Sequence, residues 1–202
     1  MSEIIEIRSR TGGKSTYLDA IIRLQRINSL LEAEGHVLLE AIRYCPVGLV
    51  ACLEAYFRGV VKELIDYGQP YLERASKLER VKFDFSIVAA IQGYTISIGD
   101  MISHLIPINN KNDINSALTI LTGEDFLKSL KEVKAHWPWE SMRSEGIEPV
   151  IKNPSNVYGI IDRVFEVRHI ICHEFANPLE ISKDVAQSYI EAVQEFIDAS
   201  NF

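Results

Sequence analysis

Apolar residues recur at helical spacing along most of this chain, and no convincing strand ladder is visible. Leu18, Ile21, Ile22, Leu24, Leu30, Leu31, Leu38 and Leu39 mark a long helix from Thr16 to about Tyr44. Pro46 predicts a break before a second helix, Gly48 to Tyr67, whose apolar face is Leu49, Leu53, Phe57, Val60 and Leu64. Gly68 and Pro70 end it, and a third helical stretch covers Tyr71 to Leu78. Phe83 to about Leu105 is apolar nearly all round and is expected to be a central helix, closed by Pro107 and Asn109-Asn110. Two shorter helices follow, Asp113 to Leu121 and Glu124 to His136.

Residues 137–154 read as a loop long for a compact domain. Its Trp137 and Trp139 could stack on bases, but loop tryptophans more often anchor on a helical surface. Ser155 is expected to cap the next helix, and Asn177-Pro178 to stop it. Ser182 opens the last helix, with Val185, Tyr189, Ile190, Val193, Phe196 and Ile197 as its packing face. The fold class is all-α, a single helical bundle over residues 16–202 behind an N-terminal arm at 1–15.

Polar residues interrupt one apolar face in a way that packing alone does not explain. At about 100° per residue, Val157, Ile160, Ile161, Val164, Phe165, Val167, Ile171, Cys172 and Phe175 share one arc. Arg168 falls near the middle of that arc, where a guanidinium needs a partner because an unpaired buried charge is costly. His169 and His173 project to the opposite, polar side.

Composition narrows the field. The 202 residues suffice for one ordinary core. The 47% hydrophobic and 24% charged content is that of a soluble globular chain. A net charge of −7 argues against a broad nucleic-acid-coating surface, though not against a local phosphate site. Cys45, Cys52 and Cys172 form no CxxC pair and read as reduced, mostly buried thiols of a cytoplasmic protein. The acidic N-terminus lacks a signal peptide's pattern, and the apolar run Phe85 to Ile98 is short for a membrane span, so no membrane partner is expected.

Two further motifs are incomplete. Gly12-Gly13-Lys14-Ser15-Thr16 resembles the end of a phosphate-binding loop, but Arg8 stands where the first glycine belongs, and no parallel-sheet pattern surrounds it. His169 and His173 stand four apart on one helix face, a spacing that could hold zinc. A third ligand would have to come from Glu174, His104 or His136, and no HExxH pattern is present, so neither metal nor cofactor is expected.

What remains is Arg168-His169-Ile170-Ile171-Cys172-His173 on an apolar helix late in an all-α chain. In these residues the chain resembles the HEPN superfamily, whose many ribonuclease members carry an Arg, four to six residues, then a His. In that family the residue after the Arg is often Asn, Asp or His, and His169 fits. Leu53-Glu54-Ala55-Tyr56-Phe57 is similar to an acidic-aromatic stretch seen there. One departure is Phe175, where some HEPN toxins have a Tyr that a partner nucleotidyltransferase modifies; control by that route is not expected.

The resemblance implies metal-independent endoribonuclease activity, leaving 2′,3′-cyclic phosphate ends, in a toxin or antiviral-defence effector. RNA is then the substrate, and an antitoxin or defence-system protein a partner. His173 would be the general base or acid, Arg168 would bind phosphate or hold the site in shape, and His169 would assist through Asp162 or Glu166. Glu54 would partner Arg168. Residues five apart on a helix are separated by roughly 140° and 7.5 Å of rise, so one helix presents the pair poorly to one phosphate. Family members meet this by dimerising, and a homodimer is expected here. The alternative is a non-catalytic HEPN-like module that binds a protein or nucleotide, with Arg168 tied to a carboxylate and His173 capping its helix.

Overall fold

The computed structural model describes residues 15–78, 91–93, 96–134, 148–173 and 181–201. Within these residues the chain is all-α. The helices are α1 (Thr16–Leu30), α2 (Gly35–Tyr67), α3 (Tyr71–Ala75), α4 (Ile98–Leu105), α5 (Lys111–Thr122), α6 (Phe126–Ser129), α7 (Pro154–His173) and α8 (Lys183–Ala199). A short 3-10 turn, Leu130–Glu132, follows α6. No strand forms among the described residues; a lone antiparallel bridge joins Lys134 to Pro149.

The chain divides into two compact, discontinuous units: Met1–Leu18 with Ala55–Phe126, and Asp19–Glu54 with Leu127–Phe202. In the first, α3 packs on α5, and Phe57 meets Phe126 edge-to-face at 6.0 Å. Two arginines close helix ends there. Arg58 donates to the carbonyls of Ser103 (2.5 Å), His104 (3.2 Å) and Ile106 (3.1 Å) after α4. Arg74 donates to Leu121 (3.1 Å) and Thr122 (2.5 Å) at the end of α5. These carbonyls have no partner within their own helix, so a charged donor is favourable at both places.

In the second unit, α7 packs on α8. The buried side chains are Val157, Ile161, Val164, Phe165 and Val167 from α7, with Ala186, Tyr189, Ile190, Val193, Phe196 and Ile197 from α8. Tyr158 lies edge-on to Phe196 at 6.0 Å and donates its hydroxyl to the Leu127 carbonyl at 2.6 Å. Cys52 Sγ of α2 lies 3.6 Å from the Ala20 carbonyl of α1. A methyl on Gly48 would stand 3.2 Å from Ile27 Cδ1, so α1 and α2 run close together.

Several expected boundaries move. The break in the first hydrophobic run falls at 31–34, not at Pro46, which lies inside α2. Leu31, Glu32 and Ala33 bond back three residues, tightening the end of α1, and Gly35 takes φ +60°, a conformation side chains resist. Pro46 costs its helix a hydrogen bond, but Cys45, Leu49 and Val50 around it are buried and hold the helix straight through. Leu18, Leu30 and Leu39, expected on a buried face, are half or more exposed.

The expected helix Phe83 to Leu105 is not continuous either. Residues 79–90 and 94–95 lie outside the described set. Ser97 is extended and caps α4 in a reciprocal capping box with Asp100. The helix expected from Glu124 to His136 ends at Glu132, where Val133 turns extended and its carbonyl accepts from Val150 at 2.8 Å. Asn153, not Ser155, caps α7: its side chain accepts from Asn156 at 3.2 Å, and Pro154 occupies the first helical position. Ser182 caps α8 as expected, but Val185 is exposed and Ala186 takes its place in the core. Gly12 to Lys14, His136, Trp137, Trp139, Glu174, Phe175 and Asn177-Pro178 lie outside the described residues.

By length and composition alone, α2 is long and apolar enough to cross a membrane. Here its Leu49, Leu53, Phe57, Val61 and Ile65 are buried in protein.

Candidate functional site

The last two turns of α7 carry the candidate site, and the helix is held from behind. Capping by Asn153 starts it, and burial of Val157, Ile161, Val164 and Phe165 fixes its rotation. Each such side chain contributes on the order of 1.5–3 kcal/mol when fully buried. With that face inward, residues 168, 169, 172 and 173 come to the rim.

Arg168 is less deeply placed than its position on the apolar arc suggests. Its side chain is 35% exposed, and its Nη2 stands 3.9 Å from Glu54 Oε1, with Glu54 29% exposed. The apolar arc ends before this point: Ile171 is only half-buried and Cys172 is exposed, so the guanidinium reaches a surface instead of the core. The structure thus brings Glu54 of α2 and Arg168 of α7 together. The distance is that of a loose ion pair, too long for a hydrogen bond.

His169 and His173 are exposed. Their rings lie 4.9 Å apart at a 44° tilt, as expected for positions four apart on one helix. Glu166, one of two carboxylates expected to support His169, is instead engaged by Arg163 at 2.7 Å. Among the described residues no three His, Cys, Asp or Glu side chains gather as a metal site.

Of the three thiols, Cys45 and Cys52 are buried, as expected, and Cys172 is exposed. Burial pushes the Cys45 thiol up to about 12. It pushes Cys52 to about 11, with the nearby Arg23 guanidinium pulling the other way.

Arg23 belongs to no sequence motif. It lies on the exposed side of α1 and donates through Nη1 to the Ala51 carbonyl of α2 at 3.5 Å. Ala51 is exposed while Val50, Cys52 and Leu53 are buried, so its small side chain leaves the helix backbone open to the guanidinium. No spacing rule links an arginine on one helix to a carbonyl on another, so this approach had no signal in the sequence.

Chemically, the rim offers two adjacent exposed imidazoles and, on the same helix end, a guanidinium, the group type suited to a phosphoryl oxygen. Compared with protein-family models, with curated proteins and with solved structures, the chain has no match.

Proposed function

We propose that this protein is a metal-independent endoribonuclease of HEPN type, acting in the cytoplasm as a homodimer. The observation that carries the reading is the exposed His169–His173 pair, 4.9 Å apart, on the same helix end as a half-exposed Arg168. In the proposed reaction one imidazole, His173, takes the proton from an RNA 2′-hydroxyl as its oxygen attacks the adjacent phosphorus. The P–O5′ bond breaks, and the departing 5′-oxygen receives a proton from a second imidazole. The products are a 2′,3′-cyclic phosphate and a 5′-hydroxyl. Arg168 stabilises the charge that builds on the phosphoryl oxygens, the largest single term in many such reactions. Glu54 holds Arg168 at the rim.

Two copies bring the pieces to one phosphate. Arg168 and His173 of a single α7 are about 140° apart around the helix, and a second helix end facing the first supplies the missing side of the cleft. The second reading is a non-catalytic helical module of HEPN type, favoured by one observation: Arg168 has a carboxylate partner, as a structural arginine would.

Expression in a bacterial host separates the two. A ribonuclease of this kind arrests growth, and Arg168→Ala or His173→Ala relieves the arrest at equal protein level. Unimpaired growth with soluble wild-type protein would favour the binding module. The role of Glu54 is tested by Glu54→Ala: unchanged stability together with unchanged cleavage would rule out the pairing.

A further inference from the structure

The same turn of α2 is approached by a second arginine. Arg168 comes to Glu54 from α7, and Arg23 comes to Ala51 from α1. Ala51 and Glu54 are three residues apart, hence separated by about 4.5 Å of rise and about 60° around the helix. Two guanidiniums from two different helices therefore flank one helical turn.

Among the described residues each arginine makes one long contact there. Among the described residues no carboxylate lies within ion-pair reach of Arg23, although Asp19 stands one turn away on the same helix. The hydrogen bond it makes among these residues, to a main-chain carbonyl at 3.5 Å, is long. Arg168 holds Glu54 at 3.9 Å with one arm of its fork. A guanidinium has five N–H donors, more than the single contact each makes among the described residues uses. Arg23 and Arg168 beside Glu54 bring two positive charges and one negative charge to this turn, in a chain of net charge −7.

We propose that Arg23 and Arg168 form a phosphodiester subsite on the Ala51–Glu54 turn of α2, which holds the backbone of a single RNA strand. The inference rests on the ribonuclease reading and adds a binding residue to it. Arg168 grips the phosphate at the scissile bond, and Arg23 grips a neighbouring phosphate of the same strand. Arg23 touches no reacting atom; it fixes where along the strand the His169–His173 end of α7 acts.

The test measures binding apart from cleavage. Full-length protein carrying His173→Ala, in EDTA, is titrated with an end-labelled single-stranded oligoribonucleotide at several salt concentrations. The same is done with Arg23→Ala and Arg23→Lys added. Circular dichroism checks that each is folded, as the exposure of Arg23 predicts. Losing one charged phosphate contact should weaken binding about tenfold or more at low salt and reduce the salt slope by about 0.7. Arg23→Lys should keep most of the slope, because it keeps the charge. In the otherwise wild-type enzyme, Arg23→Ala should raise KM and leave kcat within about twofold, since only binding common to ground and transition states is lost. An unchanged affinity and slope in Arg23→Ala, with RNA still bound by the parent, would overturn the subsite and leave the ribonuclease reading intact. Failure of the parent to bind RNA and of the wild type to cleave it would overturn both.

Discussion

Single side chains decide the local chemistry, and Cys172 is the clearest case. It is exposed one residue before His173, whereas Cys45 and Cys52 are buried with thiols pushed up to about 12 and about 11. Thiolate is the reactive form. At about pH 8 a disulfide reagent should therefore modify Cys172 quickly in the folded protein and the other two only on unfolding. Three fast thiols would contradict the packing of α2. A polar cluster in the other unit gives a pH test. Burial alone would raise the Asp66 carboxyl, but hydrogen bonds from Lys62, Ser97 and the Gly99 amide, with the Lys62 charge, outweigh it and hold it below its ordinary value. A carboxyl depressed by folding stabilises the fold above the ordinary Asp value, near 4. That stabilisation is lost as pH falls from there through the lower folded value. The urea midpoint of the wild type should therefore fall more steeply below about pH 4 than that of Asp66→Asn; equal slopes would exclude the network. Gly99 permits this arrangement, because a methyl there would stand 2.5 Å from the Lys62 carbonyl and 2.6 Å from Asp66 Oδ1. Gly99→Ala should cost about 1–3 kcal/mol in urea unfolding.

At the scale of elements, helix existence is largely legible in the sequence and helix ends are less so. The periodic apolar positions of α2, α5, α7 and α8 identify them, because each buries one stripe of side chains. Ends depend on single hydrogen bonds. Ser97 and Asp100 form a capping box inside a run that hydrophobicity alone reads as one helix. Asn153 and Ser155 are both plausible caps by type, and only the backbone geometry selects Asn153. Pro46 misleads in the other direction, since the buried side chains around it outweigh a lost hydrogen bond. Asn153→Ala should cost about 1 kcal/mol by unfolding while leaving activity per folded molecule unchanged, because the cap lies at the opposite end of α7 from His173. The Glu54–Arg168 approach is legible only through the resemblance of the Leu53–Phe57 stretch, since no spacing rule pairs residues of two helices. The approach of Arg23 was not, because its partner is a main-chain carbonyl, which carries no residue identity.

For the whole molecule the central claim is that this acidic, all-α chain cleaves RNA without a metal, using the exposed end of α7 from two copies. The proposed homodimer predicts that light scattering at micromolar concentration gives twice the chain mass. A strict monomer would contradict the shared cleft. The most direct measurement is cleavage of end-labelled RNA in EDTA by wild type, His173→Ala and Arg168→Ala, each shown to be folded by circular dichroism. The expected result is cleavage by the wild type alone, leaving 2′,3′-cyclic phosphate ends, with the variants reduced by at least about a hundredfold. No cleavage of any RNA by a folded wild-type dimer, or equal cleavage by all three, would contradict it.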